Sequence, residues 1–237
     1  MRTHRFIGNF DFAKPLLEIR DPRTIRQFTK VLRLKPGSTV TLSDGHGAEY
    51  SAEIKKMDAR AIYLLVRSER AREEQEKHAP VILAAAILKR EHFEMIIEKT
   101  TEIGVSTIVP LITDRTIKKN IQKERALAIA REAAEQSGRR VLPMLRDPID
   151  FDSFAEEVST RDTVIFCDPK GDAHTPNILG RSLPLYVCIG PEGGWTDRER
   201  AGARKRGWHI VRLGETILRA ETAAIIATFL ALRSQEN

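Results

Sequence analysis

The run Leu185-Tyr186-Val187-Cys188-Ile189 stops at Gly190-Pro191-Glu192-Gly193-Gly194, and this junction constrains the chain more than any other segment. An unbroken apolar run suits a strand covered on both faces, as strands are inside a parallel sheet. The glycines and the proline then allow a sharp turn and a close approach of backbone to ligand, because glycine lacks the Cβ that penalises positive φ. Glu192 is the one ionisable group in that turn. Next, Thr196-Asp197-Arg198-Glu199 has the spacing of a capping box and predicts a helix running to about Gly207. A second strand, Trp208 to Leu213, ends at Gly214. A last helix, Thr222 to about Leu232, is almost wholly apolar and is expected to be buried.

A single Gly-Gly is ordinary loop chemistry. Two glycine-bearing turns after two successive strands are different, since ligands of open α/β sheets bind at the carboxyl ends of strands. Neither turn is a GxGxxG or a P-loop, so dinucleotide and Walker-type nucleotide sites lack support.

Upstream, the chain changes character near residue 72. Residues 1 to about 72 are short and β-like: Pro36-Gly37 turns into Thr39-Val40-Thr41-Leu42, Asp44-Gly45-His46-Gly47 makes a hairpin turn, and Ala61 to Val66 follows. This predicts a small barrel-like module. The charged stretch 67–79 reads as a linker, and residues 73–237 alternate strands with helices. Val81 to Leu88 is a predicted strand. Phe93, Ile96, Ile97 and Thr100 repeat at helical spacing up to a C-cap at Gly104. Val105 to Ile112 is a strand, Gln122 to Ser137 a helix ending at Gly138, and Asp152 to Val158 a short helix. Thr163 to Cys167 is a strand closed by Asp168-Pro169. The fold class is therefore α/β with a mostly parallel sheet, preceded by a small β-barrel.

Charge narrows the partners. With 39 Lys+Arg against 33 Asp+Glu the net charge is +6, a basic excess that favours nucleic acid over a neutral ligand. Basic and polar groups collect at His4-Arg5-Phe6, at Lys30 to Leu34, and at Gln136-Ser137-Gly138-Arg139-Arg140. Lys89-Arg90, Lys99, Arg115 and Lys118-Lys119 extend the supply. Several cations spread along a surface are what phosphate contacts require, although each cluster alone also fits a solvated face or a helix C-terminus. Cys167 and Cys188 lie in apolar runs and read as core thiols of a reduced, cytoplasmic protein. The six histidines show no HExxH and there is no CxxC, so no metal is expected. No apolar run is long enough to cross a bilayer, so no membrane partner is expected.

Five ordered segments carry a resemblance that covers nearly the whole chain. They are Arg5-Phe6 with Val31-Leu32-Arg33-Leu34-Lys35-Pro36-Gly37 and Asp44-Gly45; Glu98-Lys99-Thr100-Thr101-Glu102-Ile103-Gly104; Glu132 to Arg139; Gly190 to Gly194; and Leu213-Gly214-Glu215-Thr216-Ile217-Leu218-Arg219-Ala220-Glu221-Thr222-Ala223. In order and spacing the chain resembles the small-subunit (16S) ribosomal RNA uridine-N3-methyltransferases, a family of SPOUT methyltransferases. The resemblance implies a PUA-like RNA-binding barrel, a C-terminal parallel-sheet domain tied in a deep trefoil knot, and a homodimer acting on 16S rRNA in the 30S subunit. A knot is not derivable from pattern, and the general rule on chain connections argues against one. The resemblance also implies S-adenosylmethionine as cofactor. By position it would be held by Phe166, Cys167, Ile189, Gly190, Gly193, Leu213, Gly214, Ile217, Leu218, Arg219 and Thr222. RNA would be positioned by Arg5, Arg33, Lys99, Arg115, Gln136, Arg139 and Arg140. Where the family often has a small aromatic after the glycine pair this chain has Trp195, a change expected to alter packing more than chemistry.

Methylating N3 of uracil requires removal of its proton and donors facing the oxygens that take up the charge. Glu192 is the candidate base and Arg219 the candidate oxyanion partner. A structural reading stands beside this one, with Glu221 stabilised at a helix N-terminus and Arg219 pairing with it. Two rival functions also remain open at this level: a non-catalytic RNA-binding protein, and a SPOUT methylase acting on a ribose 2′-OH or on tRNA.

Overall fold

The computed structural model describes residues 4–69, 80–173 and 184–234. The chain divides into two compact units, one of residues 1–76 with 134–141, the other of residues 77–133 with 142–237.

The first unit is built on a five-stranded sheet of β1 (Arg5–Ile7), β2 (Leu16–Ile19), β3 (Thr39–Ser43), β4 (Glu49–Met57) and β5 (Ile62–Glu69), in the order β1-β3-β4-β5-β2. β1 runs parallel to β3 and the other pairs are antiparallel. The Asp44 to Gly47 turn forms as expected. Asp44 Oδ1 accepts from the amides of His46 (2.7 Å) and Ala48 (3.1 Å), and Gly45 and Gly47 take positive φ. Phe6 stacks on Phe28 at 3.9 Å, over Leu42, Ile54, Ile62 and Leu64. Phe28 belongs to a π-helical turn, Gln27–Val31, that follows α1 (Pro22–Arg26). Two residues later Arg33 has φ 52°, held by Leu34 N–H donating to Phe28 O at 2.9 Å.

The second unit carries a parallel sheet: β6 (Val81–Ala86), β7 (Thr107–Ile112), β8 (Met144–Leu145), β9 (Ile149–Asp150), β10 (Thr163–Ala173), β11 (Leu185–Ile189) and β12 (His209–Arg212). The order is β12-β10-β11-β6-β7-β8, with β9 also on β7. Both faces are covered, as the apolar runs require. Leu83, Ala85, Ile165, Val187 and Val211 face α2 (Arg90–Ile103), α3 (Lys123–Ser137) and α6 (Ala220–Arg233). Ala84, Val109, Phe166 and Cys188 face α4 (Phe151–Glu157) and α5 (Asp197–Lys205) through Phe151, Phe154 and Ala203. The caps form where expected: Gly104 ends α2 at φ 113°, and Thr196 with Glu199 makes the full capping box of α5.

Two expectations need correction. Asp168-Pro169 does not close β10. The strand shifts register between Cys167 and Asp172 and pairs again with β12, a bulge that accommodates a residue with no N–H to give. At Gly171 a Cβ would lie 2.7 Å from Ile210 O and Val211 N, so the chain passes β12 backbone to backbone. Secondly, α6 is not wholly buried. Its Ala224, Ala227 and Ala231 pack inward, while Ile226 (36% exposed) and Phe229 (49%) lie on the opposite side. Composition alone could not separate a helix covered all round from one covered on a single side.

Candidate active site

At the carboxyl ends of β11 and β12, beside the bulge of β10, lies a cavity of about 720 Å³, walled by the two glycine turns and the first turn of α6. That volume falls within the range of small-molecule sites, about 300–1,000 Å³.

Trp195 shapes the first turn. It is buried, stacks on Phe166 at 4.3 Å, and its Nε1–H donates to Cys167 O at 2.9 Å. A Cβ on Gly190 would sit 2.9 Å from that indole, so glycine is needed here to admit a side chain rather than a ligand. Gly194 has φ 68° and closes the turn with its N–H on Pro191 O at 2.8 Å. Glu192, at the tip, is exposed, and its Oε1 accepts from the Lys89 amide at 3.3 Å, at the start of α2.

Of the residues expected to hold a cofactor, Cys167, Ile189, Gly190, Leu213, Gly214, Ile217, Leu218 and Arg219 line the cavity. Phe166 does not: it is fully buried behind Cys167, under Trp195. Gly193 turns away, its carbonyl accepting from Arg115 Nη1 at 2.6 Å. Thr222 is outside the lining, between Glu221 and Ala223, which belong to it. Burial pushes the Cys167 thiol up to about 12, so it stands in the wall as a neutral group.

Pattern reading missed His92 and Glu221 as lining residues. Asp168 is buried and holds Arg200 Nε at 2.8 Å and the Lys170 amide at 2.7 Å; the Asp-Pro pair was its visible signal. His92 had no signal beyond its place in the first turn of α2. Arg219 is exposed and makes no ion pair with Glu221 among the described residues, so the pairing considered from sequence is not what anchors either one.

The residues expected to meet RNA behave less uniformly. In the first unit Arg33 is exposed at the αL turn. Arg5 Nε donates to Glu49 Oε1 at 2.6 Å, and Arg140 Nε lies 3.2 Å from Oε2, an ion pair without hydrogen-bond geometry. Glu49 is completely buried between them. Gln136 is exposed in the last turn of α3, whereas Arg139 is 8% exposed. In the second unit Lys99 is held by Glu98 (2.8 Å) and Glu102 (2.9 Å), which raise its pKa, and Arg115 is tied to Gly193. Among the described residues no cluster of metal-ligating groups occurs, and no helix is long and apolar enough to cross a membrane.

Residues 73–232 match the family described as an RNA methyltransferase domain, and residues 28–67 match an RNA methyltransferase PUA domain. The ribosomal RNA small subunit methyltransferase E of Synechocystis sp. is 38% identical over 208 residues, spanning 84% of this chain and 67% of that protein. The fold is similar to that of a ribosomal RNA small subunit methyltransferase E from Neisseria gonorrhoeae bound to S-adenosyl methionine. There the TM-score is 0.86 at 26% identity, covering 96% of this chain and 95% of that one. A methyltransferase from Legionella pneumophila in complex with SAM gives a TM-score of 0.86 at 30% identity, covering 99% and 98%. The fold class is the expected one, an N-terminal PUA domain followed by a parallel-sheet α/β domain of the SPOUT type. The chain belongs to the SPOUT RNA methyltransferase family, among the ribosomal RNA small subunit methyltransferases E.

Proposed function

We propose that this protein transfers a methyl group from S-adenosylmethionine to N3 of a uridine in 16S ribosomal RNA. It would act in the cytoplasm, as a homodimer, on the assembled 30S subunit. The observation that carries the reading is the cavity itself, set at two strand ends and the β10 bulge and walled by glycine turns, in a chain whose relatives are named for small-subunit ribosomal RNA.

The lining suits the methyl donor. Leu213, Leu218 and Ile189 offer apolar faces to a flat base, and the turns bring main-chain N–H and C=O groups to its edges. S-adenosylmethionine would supply the methyl on a sulfonium, whose displacement needs alignment above all. The residues on the cavity rim serve the acceptor. Glu192 would take the N3 proton, and Arg219, exposed at the start of α6, would face the uracil oxygens as they gain charge. Arg33 on the barrel and Gln136 on the last turn of α3 would position the RNA from the first unit, with Lys99 and Arg115 from the second. A strained αL arginine at an exposed turn fits a contact residue, since such strain is retained mainly where function needs it. For the homodimer, Ile226 and Phe229 give α6 an apolar face, three residues apart, left open in a single chain.

Undermethylated 30S particles, purified protein and donor with a labelled methyl group test the reading by nucleoside mass spectrometry. Labelled 3-methyluridine is expected, and Glu192→Gln is expected to bind donor normally while losing about 10²–10⁴-fold in turnover, the usual weight of a general base. Label in another nucleoside would discard the uracil-N3 assignment. Normal turnover in Glu192→Gln would discard Glu192 as base.

A further inference from the structure

Among the described residues four carboxylates line the cavity: Asp168, Glu192, Glu215 and Glu221. Three have protein partners. Asp168 accepts from Arg200 and the Lys170 amide, Glu215 from Arg212 Nη1 at 3.1 Å, and Glu192 from the Lys89 amide. Glu221 is 7% exposed, and among the described residues no donor or cation reaches it. Arg219, two residues earlier, is the nearest candidate in sequence and is turned out to solvent.

A carboxylate drawn mostly out of water gains from any favourable charge brought near it. Part of that gain is local. Glu221 stands in the first turn of the 14-residue α6, where the helix dipole favours an anion. The rest is open to a ligand in the cavity, of whose lining Glu221 is part. Depth separates it from the other groups. Glu192 and Arg219 are exposed on the rim, where a nucleotide arrives from outside, whereas Glu221 is buried where the smaller ligand would rest.

We infer that Glu221 is the residue by which this site recognises the positive charge of its methyl donor, the sulfonium or the α-ammonium. The inference rests on the methyl-donor reading given above. Glu221 touches the donor and takes no proton in this role. If it faces the sulfonium, its contact weakens when the methyl leaves and the sulfur becomes neutral, which favours release of the product over retention. If it faces the ammonium, the contact survives transfer.

Titration calorimetry with wild type and Glu221→Gln tests this, using S-adenosylmethionine, S-adenosylhomocysteine (ammonium without sulfonium) and 5′-methylthioadenosine (neither charge). The variant is expected to lose roughly 10- to 100-fold in affinity for S-adenosylmethionine, the usual weight of a hydrogen bond to a charged group, while methylthioadenosine binding stays within about twofold. Retained binding of the uncharged nucleoside also shows that the variant is folded. A matching loss for S-adenosylhomocysteine assigns the ammonium, and no loss for it assigns the sulfonium. Unchanged affinity for S-adenosylmethionine overturns the inference, as does an equal loss for all three ligands, which would make Glu221 a shape determinant. A wild-type protein that binds none of them would overturn the methyl-donor reading itself, and this inference with it.

Discussion

Two groups of charged residues, one in each unit, put the same chemistry to opposite use. Around Glu49 in the barrel unit, Arg5 and Arg140 close on a fully buried carboxylate, and the charges are consumed inside the protein. Around the cavity of the second unit, Glu192 and Arg219 stay exposed and Glu221 stays buried, with no partner among the described residues. A charge that has found its counter-charge within the fold sets shape, and one left open is available to a ligand. The type of residue does not distinguish the two cases.

The sharpest way to break this contrast is to remove the carboxylates one at a time. Glu49→Gln leaves two half-buried guanidinium groups around a neutral amide, and breaking a buried pair in this way destabilises by about 3–5 kcal/mol. Glu192→Gln, at an exposed turn, should stay within about 0.5 kcal/mol of wild type. Urea unfolding of both variants checks the pair, and equal midpoints would remove the distinction. Next in size is Gly190→Ala. Its Cβ would press on the Trp195 indole at 2.9 Å, and overpacking of this kind costs about 1–3 kcal/mol. A thermal midpoint as high as wild type would mean that the indole can move aside.

The smallest effect concerns an ion pair that resembles neither group. Glu94 on α2 accepts from Arg125 Nη2 on α3 at 2.7 Å and from Arg90 Nε at 2.9 Å, and these arginines, Arg125 foremost, lower its pKa to about 2. A carboxylate lowered in the folded state adds stability above its ordinary pKa near 4.5, and that stability fades as pH falls from there toward about 2. The pair is open to solvent, so screening leaves it small. Arg125→Ala should lose that small stability at pH 7 and converge on wild type as pH falls through the window, flattening the acid limb. A profile parallel to wild type would show the pair to be inert.

How far the sequence could be read follows the same division. Strands β6, β10 and β11 and the capped helices were visible because apolar runs, glycines and the Thr196/Glu199 box answer to local rules. The glycine turns pointed to the cavity through the strand ends that precede them. The burial of Arg139 was not legible, because a basic residue next to a helix end looks the same whether it faces water or packs inward. Glu221 stayed hidden for the converse reason: its buried place in the cavity wall exists only after β10, β11, β12 and α6 have met. Trp195 looked like a packing change and is one, yet that packing decides which residue position 190 can hold.

The chain contains two tryptophans, Trp195 and Trp208, both buried, and Trp195 also forms part of the cavity wall. The protein thereby carries an optical reporter at the place where chemistry is proposed: occupancy of the cavity alters the surroundings of one indole, while the other supplies a steady background. Ligand arrival can be followed by intrinsic emission, without dye or label, in the unaltered molecule.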